Sequence, residues 1–192
     1  MTEYFHLDRP ASDRLSAFDT VENPYEVSLC PATSGMSQHR SIRRIHDLAL
    51  EVKHRKRDEL MIWALFERVV HASLVAEFEK RGFTGFRLRP ASVRFRDGYL
   101  SHDYYELIVT GWAGLARPES GIRLLEDCPG CGHKKYSGLE DAGQLIDWSQ
   151  WTGDDFFIVW PMPAFTLITR RVADTLQSLG VKVMSWRACA TG

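Results

Sequence analysis

The sequence predicts an α+β protein made of two pseudo-repeated units, each with antiparallel strands, a helix and a Cys-Pro knuckle. Three observations point there. Distant segments match at a nearly constant offset, and short aromatic or β-branched runs are bounded by Pro and Gly. Each pair of such runs then leads into one helical stretch that stops at a glycine.

The matches run in order along the chain. Tyr4-Phe5-His6-Leu7 pairs with Tyr104-Tyr105-Glu106-Leu107 at an offset of 100, and Cys30-Pro31 with Cys128-Pro129 at 98. Asp58 and Trp63 meet Asp155 and Trp160 at 97, and Val75-Ala76 meets Val172-Ala173 at the same offset. Small length changes produce such a one-way drift, so units of residues 1–96 and 97–192 are expected, packed as one globular body.

Taken from the N-terminus, Ile42, Ile45, Leu48, Ala49 and Val52 recur at helical spacing, which predicts an amphipathic helix over 39–54. Residues 58–81 alone resemble one long helix, but the second copy has Pro161 and Pro163 in the matching stretch, where a helix interior tolerates neither. Strand, turn and strand over 60–70, then a helix over 72–81 ended by Gly82 and a strand over 83–88, is therefore the expectation. Val93-Arg94-Phe95, the turn Asp97-Gly98 and the run 104–109 read as strands joined by turns. Loops are expected over 111–121 and 137–153. Phe156-Phe157-Ile158-Val159-Trp160 and Phe165-Thr166-Leu167-Ile168 read as strands, followed by a helix over 169–179, Gly180 and a closing strand over 181–186.

Composition narrows the function classes. With 192 residues, 44% hydrophobic and 26% charged, the chain can bury a real core, and its net charge of −1 draws it to neither nucleic acid nor acidic membrane. The first 96 residues carry a net +3 and the rest −4. No run approaches a membrane span, residues 1–10 lack a signal-peptide pattern, and Cys30, Cys128, Cys131 and Cys189 do not make a disulfide scaffold. A cytoplasmic, non-secreted protein is expected.

The chemistry-bearing residues are few. Cys128-Pro129-Gly130-Cys131-Gly132 is half a zinc site, since structural zinc takes four ligands. The matching loop holds Cys30 but has Thr33 where a second thiol would stand, so Cys30, Cys128 and Cys131 with His133 or His39 could complete a Cys₃His site. The other reading is a knuckle that kept its fold after losing its metal. The run Lys53-His54-Arg55-Lys56-Arg57 with Arg40, Arg43 and Arg44 could grip phosphates, yet no aromatics interleave and acids interrupt it, which favours a solvated face. His71 reads as a core or edge residue, and His6 and His46 belong to no catalytic motif. Asp154 and Asp155 could hold a metal or act as a carboxylate pair, but a turn or capping role is favoured, and Trp148 and Trp151 read as loop anchors or as a binding hot spot. No catalytic residue is assigned, and the chain reads as a non-enzyme.

The duplicated order of knuckle, Asp-x-x-x-x-Trp strand and helix resembles the double-CXXCG motif proteins, some of which are named as immunity proteins. The segments that carry the likeness are Cys128 to Gly132, Trp151 to Phe157, Leu167 to Ala173, and Phe83-Thr84-Gly85-Phe86. Thr33, in place of one of the four defining cysteines, is the departure, and it puts the metal in question. The resemblance implies a protein that binds and neutralises a cognate bacterial toxin. The acidic second half, with Glu140, Asp141, Asp147, Asp154 and Asp155 around Trp148 and Trp151, would suit a basic toxin. Two other classes stay open. One is a zinc-knuckle nucleic-acid binder or other protein-binding module; the other is an enzyme drawing on His102, Asp103 or Cys131.

Overall fold

The computed structural model describes residues 4–8, 17–20, 25–35, 38–53, 56–64, 67–181 and 188–189. The strands are β1 (Tyr4–His6), β2 (Ala17–Asp19), β3 (Tyr25–Leu29), β4 (Arg40–Arg44), β5 (Leu48–Val52), β6 (Met61–Trp63) and β7 (Arg68–His71). Helix α1 (Ala72–Lys80) follows, then β8 (Phe86–Phe95), β9 (Leu100–Val109), β10 (Gly111–Leu115), β11 (Leu124–Asp127), β12 (Lys134–Tyr136), β13 (Phe156–Trp160) and β14 (Leu167–Thr169). Helix α2 (Arg170–Ser178) and β15 (Ala188–Cys189) complete the α+β chain. None of these helices is long and apolar enough to cross a membrane.

Among the described residues two sheets and two separate ribbons result. One sheet has the order β2-β5-β8-β9-β7-β6 and the other β10-β13-β14-β1-β15, while β3-β4 and β11-β12 are two-stranded hairpins. The boundary at residue 96 falls in the turn between β8 and β9. The sheets cross it in both directions. β1 pairs with β14 and β15, and β9 pairs with β7 and β8.

The helix expected over 39–54 is instead two strands, β4 and β5. The apolar spacing was compatible with both periods, and burial decides between them. Leu48, Leu50 and Val52 are buried at every second residue against β8, whereas Ile42 and Ile45 are exposed. Part of the stretch expected as loop over 111–121 is likewise β10, which runs parallel to β13. Residues 142–144 and 148–150 form short 3₁₀ turns within the second expected loop. Both helices lie where the periodicity predicts them, each stopping before its glycine. The closing strand expected over 181–186 lies outside the described residues except for Val181.

The main core joins both halves. Leu74, Val75 and Phe78 of α1 and Val172, Ala173 and Leu176 of α2 share one apolar cluster with Phe5, Val70, Leu107, Phe156 and Ile168. The opposite face of the six-stranded sheet buries a second cluster around Leu50, Val69, Val93 and Tyr104. The opposite face of the five-stranded sheet buries a third, around Tyr4, Phe157, Val159 and Leu167. Between the sheets three backbones press together: the Thr110 and Gly111 N–H groups both donate to the Gly85 carbonyl, and the Phe156 N–H donates to Thr84 O. A Cβ on Gly111 would stand 2.1 Å from the Phe156 carbonyl oxygen, a backbone atom with nowhere to go. Gly111→Ala is therefore expected to cost about 3 kcal/mol, the upper end for overpacking, read as a lower midpoint in urea unfolding.

Candidate metal centre

The two hairpins have the same construction at their tips. β3 runs directly into Cys30, whose backbone N–H donates at 2.8 Å to the carbonyl of His39, the residue before β4. β11 runs directly into Cys128, whose N–H donates at 2.8 Å to the carbonyl of His133, the residue before β12. A proline after each cysteine presets the turn. Gly130 lets the two tips meet: a Cβ there would lie 2.4 Å from the Ala32 Cβ and 3.6 Å from Cys30 Sγ.

The tips bring Cys30, His39, Cys128 and Cys131 together, with one donor atom from each inside a 4.8 Å span. These residues could hold a metal ion, and the distances fit. Zinc bonds of about 2.3 Å to sulfur and 2.0–2.1 Å to nitrogen put tetrahedral sulfurs about 3.8 Å apart, and sulfur about 3.6 Å from nitrogen. Cys30 Sγ and Cys128 Sγ are 3.8 Å apart, and Cys131 Sγ is 3.7 Å from His39 Nδ1. The three thiols are free, and the 3.8 Å gap is far too long for a disulfide. Cys30 and Cys128 are buried and Cys131 is exposed.

The thiols share charge unequally. The Thr33 hydroxyl, helped by the Ala32 N–H and by the Cys131 and Cys128 thiols, holds Cys30 down at about 6 against the effect of burial. At Cys131 the His133 backbone N–H pulls downward, but burial and the Cys30 and Cys128 sulfurs outweigh it and keep the thiol up at about 11. Crowded sulfurs without a cation cannot all ionise, and a divalent ion removes that conflict. Thr33 thus supports Cys30 and accepts the His39 N–H at 3.0 Å.

His133 and His39 occupy equivalent places, but His133 is outside the four-residue cluster. Its ring stacks on that of His39, centroids 4.2 Å apart and planes 29° apart. Sequence reasoning put His133 first as the fourth ligand and His39 as the alternative; hairpin packing reverses this and brings His39 into the cluster. The His39 Nε2 lies 2.9 Å from Glu126 Oε1, a partner with no local signal in the sequence.

The acidic residues singled out in the second half each have local partners. Glu140 meets Arg123, Asp141 caps Gly143, and Asp147 accepts from the Ser149 N–H and hydroxyl and from the Gln150 amide. The Gln150 amide and the Ser149 groups hold the Asp147 carboxyl below its ordinary range. Asp154 accepts from the Thr152 hydroxyl. Asp155 is buried and binds Thr84, Thr169 and Arg171. Trp148 and Trp151 are half-buried, edge-on to each other, with Trp148 against Tyr4 and Trp151 against Phe157.

The remaining candidates are scattered. His71 caps α1 through Nδ1, and His6 stacks on Phe165. His46, His102 and Asp103 are exposed. Among its described residues the basic run lies on no helix: Arg40, Arg43 and Arg44 are on β4, Arg43 pairs with Glu26, Arg44 with Glu67 and Arg57 with Asp97, while residues 54–55 lie outside the described set. No protein-family model matches the chain, and no curated protein matches it.

Proposed function

We propose that this chain is a non-catalytic binding protein, locked by zinc at Cys30, His39, Cys128 and Cys131, that neutralises a cognate bacterial toxin in the cytoplasm. The observation that carries the reading is the closed donor set: four protein ligands from two hairpins 98 residues apart at the paired cysteines. Catalytic zinc keeps a position open for water or substrate, whereas four protein ligands make a structural site. A locked scaffold needs only a complementary face to bind a partner. The resemblance to the double-CXXCG proteins supports a toxin as that partner.

The proposal includes the duplication. Its support is register as well as sequence. Tyr4, Phe5 and His6 of β1 face Thr169, Ile168 and Leu167, and their counterparts Tyr104, Tyr105 and Glu106 of β9 face His71, Val70 and Val69. On the other side β1 sets Tyr4 opposite Cys189, and β9 sets Tyr104 opposite Ala91. Two copies of one unit that had exchanged their first strands would produce this arrangement, with the metal between the two knuckles.

The acidic 140–154 surface remains the proposed toxin face, with buried Asp155 excluded from it. Co-expression with the product of the adjacent gene tests the reading: rescue of growth and co-purification are expected. Glu140→Lys together with Asp154→Lys should slow association at least tenfold and flatten its salt dependence, because rim charges act chiefly on encounter. Unchanged association kinetics would rule out that face. A harmless neighbour that is not retained would rule out toxin neutralisation by that pairing.

A further inference from the structure

We infer that Glu126 is the positioning residue of the metal centre: it holds the Nε2–H of His39 so that the imidazole ligates through Nδ1. The inference rests on the zinc reading above and adds a residue and a ligating atom to it. The two ring nitrogens of His39 face different partners. Nδ1 points to Cys131 Sγ at 3.7 Å and Nε2 to Glu126 Oε1 at 2.9 Å. A neutral imidazole carries one proton, and a carboxylate can only accept, so Glu126 selects the form protonated at Nε2. The lone pair then belongs to Nδ1, the nitrogen that faces the sulfurs.

Three further contacts keep the ring in that orientation. His133 stacks on one face, Thr33 accepts the His39 backbone N–H, and the His39 carbonyl accepts from Cys30. The His39 side chain is only 13% exposed, so little water competes for Nε2. Glu126 belongs to β11 of the second hairpin and His39 to the first, directly before β4. The carboxylate and the metal therefore tie together the same two hairpins, and each favours the geometry the other needs. Carboxylate partners of this kind fix the ring and raise its basicity, and their loss typically costs 10–100-fold in metal affinity.

The test uses the full-length chain and zinc, with affinity measured by competition against a chromophoric chelator and His39 followed by long-range ¹H–¹⁵N NMR. Glu126→Ala is expected to weaken zinc binding by about 10–100-fold. Glu126→Gln, whose amide oxygen still accepts from Nε2–H, should lose less, and His39 should show Nδ1 metallation in the wild type. Equal thermal unfolding of the metal-free forms would show that the loss is not one of general folding. Wild-type affinity in Glu126→Ala, or metallation at Nε2, would overturn the role of Glu126 and leave the centre standing. A wild-type protein that binds no zinc would overturn the centre itself.

Discussion

Replacing Cys128 with alanine is expected to abolish zinc retention and to destabilise the protein by about 4 kcal/mol, the linkage energy of a ligand held a thousandfold above its Kd. For a chain of this size that is a fall in Tm of about 10 °C. Cys128 is the severe choice because it is buried and its sulfur lies 3.8 Å from Cys30 Sγ. Its neighbours supply little compensation. The first hairpin is coupled to the rest by the enclosed Arg44–Glu67 pair and by the Tyr25 hydroxyl on Glu67, and Val27, Leu29 and Ile42 on its strands remain exposed. A hairpin this short is marginal without further support. Metal content by atomic emission and thermal melts with and without chelator measure the effect. One zinc per chain in the variant, or a chelator-insensitive wild type, would exclude this centre.

Asp155→Ala should be nearly as costly, about 3 kcal/mol in urea unfolding, because it strips four donors of their acceptor. The Asp155 carboxylate accepts from the Thr84 N–H at 3.1 Å, the Thr169 hydroxyl at 2.9 Å, and Arg171 Nε and Nη2 at 2.6 and 2.8 Å. Arg171 also donates to Gly82 O at 3.0 Å, so one carboxylate anchors the segment after α1, the end of β14 and the first turn of α2. The Arg171 side chain is 55% exposed, which screens its share, and most of the loss comes from the enclosed hydroxyl and amide. Asp155→Asn should cost less, since it keeps the shape and two acceptor lone pairs. A variant that unfolds like the wild type would refute the anchoring role, whereas loss of toxin binding at unchanged stability would return Asp155 to the contact face.

What the sequence disclosed follows the range of the forces involved. The helices at 72–80 and 170–178 were legible because their apolar residues and terminal glycines are local. Comparison at the offset of 97 was needed for the strands before them, since residues 58–81 alone resemble one long helix and Pro161 and Pro163 of the matching stretch argue against it. The misreading of 39–54 has a physical cause. Leu48, Leu50 and Val52 alternate, but Ile42 and Ile45 completed a helical stripe, and only contact with β8 shows which residues are covered. The thiols of the candidate metal centre were legible as knuckles. The proximity of His39 rather than His133 to those thiols, and of Glu126 to His39, was not, because both depend on how two hairpins meet across the chain.

The pairing of β1 and β9 also constrains synthesis. As the chain emerges, β7 and β8 have no strand between them until residues 100–109 have been made, and β1 waits for β14, 163 positions beyond Phe5 at Ile168. Early folding therefore leaves open sheet edges, which invite pairing between nascent chains, and closure over such distances is slow. Either half expressed alone would keep one of those edges permanently unpaired, so a culture producing both halves as separate polypeptides should yield the folded protein only when they are made together.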